Sequence, residues 1–271
     1  MIKFLFWNLN RKPLERRIAS LARHHDIDVL MFAECVIPVG HVLSALSEAT
    51  GRVYHRPSSD SDSLAIYTRF PPDCVVALHE KPNRLTVRRL VLPGRPEVLL
   101  ALAHLPSKRH WSPDSQGFEC VEIARTIREL EQAQGHSRTV LVGDLNMNPF
   151  EEGVVADGGF HGVMARPVAS RGSRVVQDRE YPFFYNPMWA HFGHGSDDPP
   201  GSYYYPGAEH VTYFWNIYDQ VLVRPALLAN FPDDQLRILD SDGSVPLVAS
   251  SGQPDSSGAS DHLPITFSLS L

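Results

Sequence analysis

The 271-residue chain has only three cysteines, Cys35, Cys74 and Cys120, and each lies far from the others in or beside an apolar run. That pattern excludes a disulfide framework and a cysteine-built zinc site, and it predicts buried thiols in a reducing cytosol. No stretch approaches the ~18 consecutive apolar residues of a membrane span, so no stable membrane association is expected. Met1-Ile2-Lys3-Phe4-Leu5-Phe6-Trp7 already reads as a strand and lacks the basic, apolar and small-residue order of a secretion signal, which points to a cytoplasmic protein. Internal repeats and flexible linkers are missing, and nothing in the pattern marks a protein partner. Positive charge is also short: a net charge of -6 argues against a protein that coats nucleic acid.

What is present is a core. With 43% hydrophobic residues the chain can bury a large interior, and its length suits one domain over 1–271. The charge is uneven. Residues 3–23 carry six Lys/Arg against Glu15 alone, and residues 81–109 carry seven against Glu97 alone. Local basic rims on an acidic whole suit an enzyme that binds both phosphates and cations, although ordinary solvated surface would look the same.

Periodicity predicts strands at 2–10, 28–34, 52–56, 64–69, 74–78, 85–92, 97–104, 138–148, 216–223 and 265–271. Helices are expected at 13–25, at 41–50 and at 117–134, the last with Val121, Ile123, Ala124, Ile127 and Leu130 as its apolar stripe and Gly135 as its stop. Residues 241–260, rich in Ser, Gly and Asp, read as one long surface loop. Strands alternating with helices argue for an α/β layered fold, and the short consecutive strands in its first half call for antiparallel sheet.

Several of these buried strands end on polar side chains. Val140-Leu141-Val142 runs through Gly143 into Asp144, Leu145 and Asn146, and a period of two puts Asp144 and Asn146 on the same side. That suits a carboxylate acting on water beside an amide that holds its target; an Asx turn closed by Asn148-Pro149 is the plainer reading. Asn8, Glu34 and His104 are also polar strand ends. Glu34 should have a cation or donors waiting for it, because an unpaired buried carboxylate costs several kcal/mol. Asn8 could equally cap a turn, and His104 could be a hydrogen-bonded structural histidine. Downstream, Asp219 sits among apolar residues of a strand, and Asp261 and His262 open the final one. Neighbours on a strand face opposite ways, so those two serve different partners, with Asp219 the natural acceptor to orient His262.

The ordered set Trp7-Asn8-Leu9-Asn10, Phe32-Ala33-Glu34, Ala103-His104-Leu105, Gly143-Asp144-Leu145-Asn146, Tyr218-Asp219-Gln220 and Ser260-Asp261-His262 resembles the endonuclease/exonuclease/phosphatase superfamily of exonuclease III and DNase I. The resemblance spans essentially the whole chain. It implies an α/β/β/α four-layered sandwich of two mainly antiparallel sheets with outer helices, all six motifs gathering at one end. It implies a metal-dependent phosphodiester hydrolase, with Asn8, Glu34 and Asp261 as oxygen ligands of Mg²⁺, for which Mn²⁺ can substitute. Asp144 would orient or deprotonate water, Asn146 would fix the phosphate, and His262, held by Asp219, would donate to a phosphate oxygen with His104 opposite. His104 places the chain nearer DNase I types, where an acid entering an early strand pairs with that histidine; Asp62 is the match here, within a stretch equally readable as a polar turn.

Residues 181–218 hold 13 of the 26 aromatic side chains, concentrated in an insertion at about 177–215 that the resemblance brings near the site. Such rings can stack unpaired bases, dip into lipid, or pack as a satellite core, which is the expectation for most of them. His191, His194 and His210 are too irregularly spaced for a second metal and read as surface histidines. Candidate substrate contacts are Arg11, Lys12, Arg109, Tyr185 and Trp215. A nuclease acting on DNA or RNA fits the basic stretches and aromatic rings; a phosphodiesterase or phosphatase on a phospholipid headgroup or inositol phosphate, and a non-catalytic binding module of the same fold, are the alternatives.

Overall fold

The computed structural model describes residues 1–193 and 198–271. In chain order its strands are β1 (Ile2–Asn8), β2 (Val29–Ala33), β3 (Ala65–Thr68), β4 (Val75–Lys81), β5 (Leu85–Leu90), β6 (Val98–His104), β7 (Thr139–Asp144), β8 (Gly162–Val163), β9 (Ser173–Val176), β10 (Arg179–Pro182), β11 (Phe184–Tyr185), β12 (Tyr203–Tyr205), β13 (Phe214–Asn216), β14 (Asp219–Val223), β15 (Arg237–Ile238) and β16 (Ile265–Leu269). The longer helices are α1 (Glu15–His25), α2 (Val39–Thr50) and α3 (Pro113–Gln134).

Strands β2 and β7 are buried along their whole length and β1 at every residue but Lys3, which requires cover on both faces of each sheet. One sheet has the order β15-β16-β1-β2-β3 and the other β4-β5-β6-β7-β14-β11-β8. Antiparallel pairs dominate, and the parallel pairs β1/β2, β6/β7 and β8/β11 are joined through crossovers. Alternation in the second sheet sorts the side chains into two cores. Val98, Leu100, Leu102, Val140, Val142, Val221 and Val223 meet the first sheet, while Leu99, Ala101, Leu141 and Leu222 meet Cys120, Ile123, Ala124 and Ile127 of α3. Helices α1 and α2 cover the first sheet through Ile18, Leu21, Val42 and Leu46. The result is the four-layered α/β/β/α sandwich.

Several boundaries differ from the sequence reading. Helix α3 starts at Pro113, where Ser112 Oγ caps the Ser115 N–H. Val121 is exposed, because the stripe at 120, 123, 124 and 127 leaves it about a quarter turn off the buried face. Residues 52–56 form no strand beyond a single bridge between His55 and Thr68. The expected strand at 216–223 divides into β13 and β14, and the one at 138–148 stops at Asp144.

The aromatic segment is split by location. Phe183, Phe184 and Tyr185 are buried in or beside the second sheet, and Phe150 gathers Trp189, Phe192 and Tyr213 at centroid distances of 6.0, 5.8 and 5.4 Å. His191 is buried against Asp198 at 3.3 Å, which corrects its reading as a surface residue; His210 is exposed, and His194 lies outside the described residues. Among the described residues no helix is long and apolar enough to cross a membrane. All three cysteines are free, with Cys35 and Cys120 buried.

Candidate active site

Register builds one row of the site. His104 pairs with Asp144 at the end of β6/β7, and Asp144 pairs with Asp219 at the start of β14. All three share the parity of the residues that face the first sheet, so three adjacent strands present an imidazole and two carboxylates along one edge. Gly143 makes this possible: a Cβ there would overlap the carbonyl oxygen of Ala103, its partner on β6.

The first sheet answers from the opposite side. Asn8, ending β1, donates Nδ2–H to Asp144 Oδ2 at 2.9 Å, and its Oδ1 accepts from the Asn10 N–H at 3.0 Å. Glu34 follows β2 in a left-handed conformation (φ 51°), with its carboxylate oxygen 3.6 Å from His104 Nε2. Left-handed backbone also occurs at Asn10, Arg11 and Asn146, so strained residues cluster where the strands end. Asn146 does not reach Asp144 by strand alternation. Instead Asp144 Oδ1 accepts the Asn146 N–H at 2.9 Å, an Asx turn that brings the two side chains together while Asn146 Nδ2 donates to the Leu105 carbonyl at 3.0 Å.

The two histidines differ in environment. His262 is buried with Nδ1 2.8 Å from Asp219 Oδ2 and Nε2 3.9 Å from Asp144 Oδ2. Burial alone would lower its pKa, but the charges of Asp219 and Asp144, the hydrogen bond to Asp219 and the nearby Asp261 outweigh it and raise the imidazole to about 10. For Asp219 burial pushes the carboxyl up, while the charge and hydrogen bond of His262 oppose it; the two form a buried pair. Among the described residues Asp219 Oδ1 has no hydrogen-bond partner, and Ser202 Oγ accepts the Asp219 backbone N–H at 3.2 Å. Over the imidazole lies Tyr203, its centroid 4.7 Å from that of His262 and 5.2 Å from that of Tyr218, above which stands Lys108 Nζ. His104 is half-buried, its Nε2 between Glu34 and Asp144, 3.8 Å from the latter. Asp62 is exposed and makes no hydrogen bond or ion pair with it; the turn around Asp62 is instead organised by Asn83 Oδ1, which accepts from Ser61 Oγ, Ser63 N and Ser63 Oγ.

These groups open onto a cavity of about 700 Å³ lined by Asn10, Glu34, His104, Asp144, Asn146, Asp261 and His262 on its floor. Arg84, Lys108, Arg109, His110, Trp111, Tyr203, Tyr205, Tyr213 and Tyr218 form its walls. Of the expected substrate contacts, Arg109 is there. Tyr185 is buried in β11 opposite Val223, at the far end of β14 from Asp219, with Arg166 over its ring at 4.9 Å. The ring of Trp215 packs edge-on against Tyr204 and lines no part of the cavity. Lys12 Nζ is held by the carbonyls of Ser256 and Ala259, tying the 241–260 loop to β1, and Arg11 is exposed outside the cavity. Tyr203 and Arg84 were missed. Arg84 lay within the basic stretch at 81–109, but nothing local marked its turn as the neighbour of His104, whose N–H donates to the Arg84 carbonyl at 2.9 Å.

Among the described residues one cluster of acids and histidine has the spacing of a metal site. Asp144, Asp219 and His262 offer atoms within 4.8 Å of one another. That set fits poorly: Asp144 already accepts from Asn8 and Asn146, and His262 spends Nδ1 on Asp219 and favours the protonated, cation-repelling form. The Glu34 carboxylate accepts no hydrogen bond among the described residues, and Asp261 is partly exposed with one long contact of 3.4 Å from Ser260 Oγ. Two open carboxylates are the chemistry that a hard divalent cation requires.

The sequence profile of the endonuclease/exonuclease/phosphatase family matches residues 5–262. The chain belongs to that family. Solved structures of the same fold include the 3′ phosphatase NExo from Neisseria bound to a product DNA hairpin (16% identity, TM-score 0.61, all of both chains). TDP2 of D. rerio, complexed with single-strand DNA product, is similar over 100% of this chain and 99% of that one (16%, TM-score 0.58). The mannosyl-6-phosphatase Bt3783 of Bacteroides thetaiotaomicron matches over all of both chains (16%, TM-score 0.61). No curated protein matches the chain. Members of the family are metal-dependent phosphoesterases that act on DNA, RNA or sugar phosphates, and endonuclease/exonuclease/phosphatase members generally require a divalent ion.

Proposed function

We propose that this protein is a cytoplasmic, Mg²⁺-dependent nuclease that hydrolyses phosphodiesters of DNA or RNA and also works with Mn²⁺. The observation that carries the substrate class is the cavity wall. Arg84 and Arg109 have no carboxylate partner among the described residues, and they stand with the exposed rings of Trp111, Tyr205 and Tyr213. Arg84 Nη1 makes one long contact of 3.4 Å with the His104 carbonyl; guanidinium groups without a carboxylate attract backbone phosphates, and flat rings at the rim stack bases without reading their sequence. The DNA-bound states of NExo and TDP2 agree with this reading.

Glu34 and Asp261 would hold the ion, and Asn8 could add the second lone pair of its amide oxygen. When bound, the ion supplies a positive charge that offsets charge developing on a phosphate oxygen. Asp144, locked by Asn8 and Asn146, orients water and takes its proton as the water oxygen bonds to phosphorus and the bond to the leaving oxygen breaks. His262 Nε2–H donates to a phosphate oxygen from one side and His104 from the other, while the second amide hydrogen of Asn146 holds the phosphate in place.

The test is an incubation of the purified protein with Mg²⁺ or Mn²⁺ and single-stranded, linear and supercoiled DNA, RNA, abasic duplex, sphingomyelin and inositol phosphates, with Asp144→Asn as control. Cleavage of nucleic acid by the native protein alone is expected. Intact nucleic acid beside a cleaved lipid or inositol ester would overturn the substrate assignment.

A further inference from the structure

A second cleft, of about 390 Å³, lies at the opposite end of the sandwich from Asp144. Its position follows from register: β14 runs away from the site to Val223, Val223 pairs with Tyr185, and Tyr185 pairs with Val163 of β8 at the sheet edge. Half-buried Val155, Val163 and Val168 and buried Phe183 form its apolar wall, and Arg171 and Arg174 its rim. No carboxylate pairs with either arginine among the described residues, although this stretch of chain also holds Asp157, Asp178 and Glu180.

Between wall and rim stands His161, in a left-handed conformation (φ 52°) and only 2% exposed. Its ring packs on Phe183 at 4.5 Å, its Nδ1 lies 3.3 Å from the Pro182 carbonyl, and its Nε2 accepts the Arg174 Nε–H at 2.9 Å. Burial and the adjacent Arg174 lower the pKa of this histidine, in keeping with a neutral acceptor. A strained, buried histidine is thus used to hold one guanidinium by its Nε edge, leaving both terminal nitrogens of the fork for another partner. A cleft of this volume with an apolar wall and a few convergent polar groups has the make-up of a small-molecule site.

We propose that this cleft binds a small organic anion, with its phosphate or carboxylate head held by Arg171 and the oriented fork of Arg174 and its apolar body resting on Val155, Val163, Val168 and Phe183. The site is separate from the catalytic centre and stands whatever the substrate of that centre is.

Isothermal titration of the full chain in EDTA, with phenylphosphonate, benzoate and inorganic phosphate as probes, tests it. At least one of the two aryl anions binds, and more tightly than inorganic phosphate; whichever of the two is tighter identifies the head group. Arg171→Ala/Arg174→Ala weakens binding at least tenfold, Arg174→Lys gives an intermediate loss because charge survives without the fork, and Arg84→Ala/Arg109→Ala leaves it unchanged. Melting temperatures confirm that each variant is folded. Unchanged affinity in Arg171→Ala/Arg174→Ala, loss of binding in Arg84→Ala/Arg109→Ala, or no binding of any probe would overturn the assignment. Equal affinity for inorganic phosphate and phenylphosphonate would overturn the role of the apolar wall.

Discussion

Replacing Asp219 by asparagine tests the buried pair directly. The substitution keeps the size of the side chain beside His262 Nδ1 and removes the charge that holds the imidazole at about 10. With a raised pKa, chemistry that needs the imidazolium is fully available at neutral and lower pH and is lost only as pH rises through about 10. Without the carboxylate, burial is opposed only by the charges of Asp144 and Asp261, and the histidine falls toward its ordinary value of about 6.5. If it fell all the way, the protonated fraction at pH 8 would drop from roughly 99% to about 3%, so the expected rate loss there is up to about 30-fold, with most of the activity surviving at pH 5.5. The assay is kcat against pH at saturating Mg²⁺ for the native protein, Asp219→Asn, His262→Ala and the double variant. If Asp219 acts through the histidine, the double variant should be little worse than His262→Ala. A fully additive loss, or an Asp219→Asn profile of native shape, refutes the pair. A carboxylate that only stabilised the fold would instead show as a lowered Tm with the alkaline limb unmoved.

Glu34→Gln should raise the Mg²⁺ concentration needed for half-maximal rate by at least tenfold, after EDTA has abolished activity in the native protein and Mg²⁺ or Mn²⁺ has restored it; an unchanged requirement would remove Glu34 as a ligand. Arg84→Ala and Arg109→Ala should each weaken binding of single-stranded DNA and lower the slope of log affinity against log salt by about 0.7, read by fluorescence anisotropy between about 50 and 200 mM salt. An unaltered slope would take that arginine off the phosphate path. Gly143→Ala forces a methyl group into the Ala103 carbonyl and should cost about 1–3 kcal/mol, roughly 2–10 °C in Tm; a native Tm would show that β6 and β7 part there freely.

Much of the catalytic row was legible before any coordinates because a strand's alternation is a local property. Polar residues that end apolar runs, at Glu34, His104 and Asp144, stand out against the core pattern, and the order of the six motifs supplied the sandwich. What could not be read was register and turn geometry. Tyr185 belongs to an aromatic run that looks like a platform, yet its pairing with Val223 sends it to the far end of the sheet. Trp215 and Tyr203 lie in the same segment, and only the bridge between Tyr203 and His262 puts one over the imidazole and leaves the other outside the cavity. Arg84 and Arg109 carried the same local signal as Arg11, since charge runs do not say which loop they border.

The strand reading of Asp144 and Asn146 failed in an informative way. Alternation can bring His104, Asp144 and Asp219 into a line, because neighbouring strands in register repeat the same face. It leaves residues two apart on one strand separated by ~6.5 Å of rise, which a long side chain can bridge, as Arg88 Nε does to Thr86 Oγ1 at 3.1 Å in β5, but which short Asp and Asn side chains do not. The chain solves this by leaving the strand: Asn146 turns left-handed and its N–H folds back onto Asp144, as Glu34 turns left-handed after β2 and Asn10 after β1. Each such residue costs on the order of 1 kcal/mol and persists only where neighbours hold it. For Glu34 the holders are visible. The Arg11 N–H donates to its carbonyl at 3.1 Å, and the next residue, Cys35, donates its N–H to the Ser63 carbonyl at 2.9 Å. Ser63 is fixed in turn by Asn83, which adjoins the Arg84 carbonyl that receives the His104 N–H. One turn between β4 and β5 therefore braces both sheets' contributions, Glu34 through the Ser59 to Ser63 loop and His104 directly. The Glu34 carboxylate and the imidazole 3.6 Å from it owe their spacing to loops that reach them through main-chain hydrogen bonds at Cys35 and His104.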